Sequence, residues 1–263
     1  MNDTRPLAVV TGASRGIGRE LAALFAVDGH DLVLVARSPA LDDAAAELES
    51  SGVSVTPVHA DLRTEAGVRA VYEAATAGGR VPAAVALNAG TGIGGAFVDA
   101  DPEELLAVVD VNVRSTVHLA RLFLADMVRA GSGRLLFTSS VVSLMPGPYQ
   151  AVYNASKAFV QSFTDGIHDE LSDTDVTVTS MLPGATDTHF FARAGMLDTL
   201  LGKGPKDDPA RVAKDGYDAL LRGDRRVVAG SLLARSMAAF GALAPDAVTG
   251  AVHKVLARPR SGG

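Results

Sequence analysis

The sequence reads as a doubly wound α/β domain, a parallel sheet of about seven strands with helices on both faces. Three observations predict it. Short apolar runs lack polar alternation, as strands covered on both faces require. Stretches of helical spacing separate those runs, and a glycine-rich turn joins the first run to the first helical stretch. The runs fall at residues 7–10, 32–36, 53–59, 83–87, 134–138, 176–182 and 226–229. Between them, Leu21, Leu24 and Phe25, then Leu41, Ala45 and Leu48, recur with helical period. Each crossover between parallel strands is expected to be right-handed. Gly29 and Gly52 stand where left-handed caps would end the first two helices. Asp101-Pro102-Glu103-Glu104 combines an N-cap, a first-turn proline and acids at the positive helix end.

No repeat or linker divides the chain, so residues 1–230 are expected to form one domain, with a loop at about 185–208 beside the site. Residues 231–263 read as a helical tail that packs on this domain or on a partner subunit. The 263 residues carry 30 acids against 24 Lys and Arg, a net charge of −6, which supplies no basic face for nucleic acid. The apolar fraction of 48% excludes a disordered chain. Without cysteine there are no disulfides, thiolate metal sites or cysteine nucleophiles. The six histidines show no ligand spacing, so no metal is expected. Residues 1–6 lack an apolar stretch behind a basic head, so no secretory signal is expected. Residues 135–156 carry no charge, but Ser139, Ser140, Ser143, Pro146, Pro148 and Asn154 make them a buried strand and loop rather than a membrane span. A cytoplasmic protein is the expectation.

Thr11-Gly12-Ala13-Ser14-Arg15-Gly16-Ile17-Gly18 stands between the first strand and the first helix. A dinucleotide's pyrophosphate needs a tight turn, close backbone approach and free N–H groups at a helix N-terminus, and this segment offers all three. An acid about 20 residues beyond such a loop would favour NAD by binding the ribose 2′-hydroxyl. Here the second strand ends in Val35-Ala36-Arg37-Ser38, and Arg37 with Arg15 can form charge-assisted bonds to a 2′-phosphate. NADP(H) is the expected cofactor.

Three more signals follow: Asn112 after Asp110-Val111, Ser140 at the end of a buried strand, and Tyr153-Asn154-Ala155-Ser156-Lys157. Tyr153 and Lys157 are four apart, on one side of a predicted helix. Together with the glycine loop, these residues resemble the short-chain dehydrogenase/reductase family in its shorter, single-domain, NADP-preferring form, from about residue 7 to 188. The resemblance implies a Rossmann-like fold, with Ser140, Tyr153 and Lys157 as catalytic residues and Asn112 as the fourth member. It implies that Gly12, Ser14, Arg15, Gly16, Ile17, Gly18 and Arg37 hold cofactor, with Asp61 and Leu62 at the adenine. It also implies Asn88, Ala89 and Gly90 on the cofactor floor and Pro183, Gly184, Thr186 and Thr188 at the nicotinamide amide, where Tyr153 and Lys157 also touch the cofactor. Leu87 departs from the family's frequent second asparagine before Asn88. Helices over residues 105–128 and 159–171 match the family's usual subunit interface, implying a homodimer or homotetramer.

Reducing a carbonyl requires hydride at carbon and a proton at oxygen. A tyrosine starts from a pKa of about 10, and bringing it near 7 needs about 4 kcal/mol. An ammonium about 5 Å away supplies roughly 3 kcal/mol at an effective dielectric of about 20. Lys157 is therefore expected to draw the Tyr153 phenol down, while Ser140 donates to the substrate oxygen. Residues 92–97, 141–152 and 185–206 should wall the substrate with Ile93, Phe97, Val142, Leu144, Met145, Tyr149, Phe190, Phe191, Met196 and Leu197. They contain no arginine cluster, which points to a mostly apolar ketone or aldehyde; His189 reads as a plain loop histidine, with contact to substrate as the alternative. The leading reading is an NADPH-dependent carbonyl reductase working through Tyr153. A 3-oxoacyl thioester reductase, an alcohol or steroid dehydrogenase, and a non-catalytic NADP(H)-binding sensor are the alternatives.

Overall fold

The computed structural model describes residues 5–260. A seven-stranded parallel sheet runs β3-β2-β1-β4-β5-β6-β7. Its strands are β1 (Leu7–Thr11), β2 (Asp31–Ala36), β3 (Val55–His59), β4 (Ala84–Leu87), β5 (Gly133–Thr138), β6 (Val176–Pro183) and β7 (Arg226–Ala229). Each forms where an apolar run was read, within two residues at the ends. Pro57, which has no N–H for a ladder, lies in β3 at one edge of the sheet.

The helices are α1 (Gly16–Val27), α2 (Ala40–Glu49), α3 (Glu65–Ala75), α4 (Pro102–Val109), α5 (Ser115–Ala130) and α6 (Ala151–Glu170). The short turns α7 (Phe190–Arg193) and α8 (Leu200–Lys203) follow, then α9 (Pro209–Arg222), α10 (Leu232–Leu243) and α11 (Asp246–Ala257). Local chemistry sets several ends. The Asp101 side chain accepts from Glu103 N ahead of Pro102 to start α4. Gly29 and Gly52 take φ of +79° and +86° after the first two helices.

Because successive strand residues face opposite sides, one sheet makes two cores. Val10, Leu34 and Leu136 point to one face, where they pack with Leu21 and Phe25 of α1, Leu41 of α2 and Leu220 of α9. Val9, Val33 and Leu135 point to the other, against Val71 of α3, Phe123 and Met127 of α5 and Val160 of α6. Burial on both faces explains the apolar runs. A third cluster joins Val141, Val142 and Leu182 to Ala234 and Ala238 of α10, so this helix packs at the carboxyl ends of the strands. Among the described residues no helix is long and apolar enough to cross a membrane.

The chain reverses its strand order between β1 and β4, and the loops leaving those strands diverge to open a crevice at their carboxyl ends. Packing holds that crevice from below. Phe123, fully buried against β4 and β5, is a direct check: Phe123→Ala should lower unfolding free energy by about 3–5 kcal/mol in urea denaturation.

Candidate active site

The crevice is a cleft of about 700 Å³. Its floor is the glycine loop. Gly12 and Gly16 adopt φ of +71° and +57°, conformations that side-chain-bearing residues avoid. A Cβ on Gly16 would stand 2.7 Å from Thr188 Cγ2, so the 188 segment lies directly on the loop. Gly18 does not line the cleft; a Cβ there would overlap the Gly12 carbonyl, and its absence lets α1 close against the loop. Helices α3, α4, α9 and α10 begin with side-chain caps from Thr64, Asp101, Asp208 and Ser231, whereas α1 begins at Arg15 with none. Its first N–H groups are left for an anion. This fits a dinucleotide's pyrophosphate.

Thr11 joins the first and fourth strands at the floor. Its Oγ1 accepts from Asn88 N and Ala89 N, both at 2.9 Å, and Asn88 Nδ2 donates to the Thr11 carbonyl at 3.1 Å. The Asn88 side chain therefore ties β4 to β1, and Leu87, fully inside the core, leaves that tie intact.

Ser140 ends β5, and its Oγ donates to the Pro183 carbonyl at 3.4 Å. Tyr153 and Lys157 sit one turn apart on α6, with the Lys157 ammonium 5.9 Å from the Tyr153 ring centre. Tyr149, at φ +64°, makes the strained turn that aims the start of α6; its carbonyl accepts from Gly95 N at 2.9 Å. Lys157 is only 4% exposed, with Nζ donating to the Thr138 carbonyl at 2.8 Å. Gly90 leaves it room, since a Cβ there would lie 3.2 Å from Nζ.

Asn112 does not line the cleft. It occupies a π-helical turn, Asp110–Arg114, between α4 and α5. Its Oδ1 accepts from Thr91 N, and its Nδ2 donates to the Thr91 carbonyl and to Ser156 Oγ, all at 2.9 Å. Asn112 thus clamps the loop after β4 to the helix carrying Tyr153 and Lys157.

Burial pushes the Tyr153 phenol up to about 12, against a hydrogen bond with Ser140 that favours ionisation. Burial also pushes Lys157 down to about 8. The downward pull expected on Tyr153 from Coulomb attraction is therefore outweighed in the bare cleft by desolvation of the phenolate. The cost of removing charge from water dominates both groups.

Arg15, Arg37, Asp61 and Leu62 gather at the far end of the cleft. Asp61 accepts from Arg63 and lies 3.7 Å from Arg37; the Arg63 bond holds its carboxyl down at about 2. Ser14, Ile17, Ala89, Gly90, Pro183, Gly184, Thr186, Thr188 and His189 also line the cleft. Of the expected apolar wall, Val142, Phe190 and Phe191 are present. Ile93, Phe97 and Tyr149 instead border a separate small cavity, and Leu197 is 59% exposed. Phe190 packs on Tyr153, with ring centres 4.9 Å apart. Lining residues that the sequence reading did not single out include Arg193 of α7, inside the 185–206 stretch expected to wall the substrate, and Met237 of α10, in the helical tail. Neither carried a motif; only the fold brings them to the cleft. Among the described residues no cluster of acids and histidines is suited to hold a metal.

Residues 6–196 match the family model described as short chain dehydrogenase. The chain therefore belongs to the short-chain dehydrogenase family, whose members are oxidoreductases. It is 30% identical over 219 residues to the oxidoreductase UcpA of Salmonella typhimurium, covering 82% of this chain and 81% of that protein. It is 35% identical over 191 residues to the probable oxidoreductase EphD of Mycobacterium tuberculosis; that match takes in 72% of this chain and only 32% of that longer protein. A solved short-chain dehydrogenase from Sphingobium yanoikuyae, in complex with NADPH, is 30% identical and superposes with a TM-score of 0.79 over 98% of both chains. The bulky-bulky ketone specific alcohol dehydrogenase of Comamonas testosteroni is 28% identical, with a TM-score of 0.75 over 86% of each chain.

A desolvated lysine is a stability cost that removal should relieve. The drop from 10.5 to about 8 corresponds to about 3 kcal/mol. Lys157→Met should raise unfolding free energy at pH 7 by about 1–3 kcal/mol in urea denaturation. Between about pH 8 and 10.5 the unfolded lysine keeps a proton that the folded one has released. Wild-type stability should therefore gain with rising pH over that window, relative to the variant.

Proposed function

We propose that the protein is an NADPH-dependent carbonyl reductase, taking a mostly apolar ketone or aldehyde to the alcohol. The observation that carries this reading is the buried Lys157 ammonium beside Tyr153, facing Ser140 at the mouth of an uncapped glycine-loop helix. The nicotinamide of a bound dinucleotide supplies hydride. The free N–H groups at the start of α1 hold the pyrophosphate, and Arg15 and Arg37 attract the adenosine 2′-phosphate. Asp61 and Leu62 flank the adenine, and Thr186 and Thr188 meet the nicotinamide amide.

Ser140 donates to the substrate oxygen as charge develops there. Tyr153, whose pKa of about 12 keeps it protonated at neutral pH, gives its proton to that oxygen. An alkoxide is a stronger base than a phenolate, so the transfer runs downhill without first lowering the phenol. The Lys157 ammonium stabilises the phenolate that remains, and its spare N–H groups position the nicotinamide ribose. Asn112 keeps the lysine helix and the loop after β4 in register.

Phe190 and Phe191, with Val142 and Met237, give the substrate end its apolar wall. The bulky-bulky ketone specificity of the Comamonas protein supports a carbonyl substrate of some bulk. Exposed Leu106, Val109, Val128 and Phe159 on α4, α5 and α6 support a homodimer or homotetramer through those helices.

Loss of NADPH absorbance across a panel of aliphatic, aromatic and charged carbonyls tests the reading, with turnover expected for the apolar members. Tyr153→Phe should lower kcat by about 10²–10⁴-fold while NADPH still binds; unchanged turnover would remove the tyrosine from the mechanism. In fluorescence titrations Arg37→Asp should weaken NADPH by about tenfold or more and leave NADH nearly unchanged. Equal loss for both would overturn the preference for NADPH.

A further inference from the structure

The segment from Thr188 to Arg193 crosses the cleft from end to end. Thr188 lies on Gly16, Phe190 packs on Tyr153, and Arg193 lines the cleft together with Arg15 and Arg37. The segment is tied down at its far side, where Gly94 N donates to the Ala194 carbonyl at 2.8 Å. Most arginines on this surface sit against a carboxylate, as Arg69, Arg129, Arg222 and Arg225 do with Glu65, Asp126, Asp224 and Asp169. At this end of the cleft Arg37 lies 3.7 Å from Asp61, a carboxylate that Arg63 already engages, and Arg15 and Arg193 line the same cleft. Desolvation, with the like charges of Arg15 and Arg37 behind it, pushes Arg193 below the usual arginine range. Such a group of cations has an uncompensated charge that a phosphate would neutralise.

We infer that Arg193 is a third cationic ligand for a phosphate of the bound dinucleotide, reaching it from the strap that carries Phe190 onto Tyr153. The inference rests on the dinucleotide reading above and goes beyond it. It makes the strap over the substrate end a part of the cofactor site, so that anion binding and the apolar wall around Tyr153 are set by one six-residue segment. Arg15 comes from the glycine loop and Arg37 from the end of β2, so the anion would draw three separate elements together. Two phosphates of the dinucleotide lie within the same chemistry, the 2′-phosphate and the pyrophosphate, and NADPH and NADH separate them.

The test is a fluorescence titration of the full chain and of Arg193→Gln and Arg193→Lys with NADPH and NADH, at two salt concentrations. Arg193→Gln should raise the NADPH Kd about tenfold or more, with a shallower salt dependence, and Arg193→Lys should recover part of the loss. A loss confined to NADPH assigns Arg193 to the 2′-phosphate; an equal loss for NADH assigns it to the pyrophosphate. Both outcomes support the inference. Unchanged Kd and salt dependence for both dinucleotides in Arg193→Gln, with wild type binding normally, overturns it and leaves the proposed function standing. A wild-type chain that binds neither dinucleotide overturns both. Thermal unfolding of the variants close to wild type separates lost contact from lost fold.

Discussion

A lysine ammonium held out of water is the constraint on which the rest of the site depends. Lys157 has the Thr138 carbonyl as its protein acceptor and is almost wholly buried. Burying a cation so sparsely satisfied is unfavourable, and it persists only because the surroundings leave the side chain nowhere else to go. Val160 anchors its helix in the core beneath the sheet, Asn112 clamps that helix to the neighbouring loop, and Gly90 yields the space beside Nζ. The fold thus spends stability to maintain an unsatisfied donor where a sugar hydroxyl and a phenol can use it.

The sheet order explains why these groups meet. Ser140 follows β5, the glycine loop follows β1, Arg37 follows β2 and Pro183 closes β6. All are carboxyl ends, so parallel pairing alone brings residues far apart in the chain to a single rim. Reversal of strand order between β1 and β4 then opens the rim at its centre, and Thr11 with Asn88 bridges the opening from below. A hydroxyl and an amide at that point do for the floor what no apolar pair can, because the strand-end N–H groups there have no ladder partner.

How much of this was legible in the sequence divides by the range of the physics. Strands such as Val9-Val10 and Leu135-Leu136 could be read because burial on both faces leaves a run with no polar alternation. The glycine loop could be read because its spacing reports local backbone geometry, and Tyr153 with Lys157 because four residues make one helical turn. Arg193 and Met237 could be placed only by segment, not singled out. Each enters the cleft through tertiary packing of segments whose own spacing says only that they are short helices. Ile93, Phe97 and Leu197 fail for the same reason, since the folded loops turn them to a neighbouring void or to solvent. The direction of the Tyr153 shift was missed for a different cause. A pairwise attraction can be written from residue identity and separation, whereas desolvation depends on everything that surrounds the ring.

The helix supplying Met237 begins well past residue 196, where the match to the family model stops. Part of the chamber wall therefore lies beyond the stretch that the family model matches, while Ser140, Tyr153 and Lys157 lie inside it. Such a partition lets selection retool what enters the chamber by exchanging a few turns of a terminal appendage, with the inherited chemistry left untouched. Two relatives alike through their first two hundred residues can on that account diverge in diet without diverging in reaction.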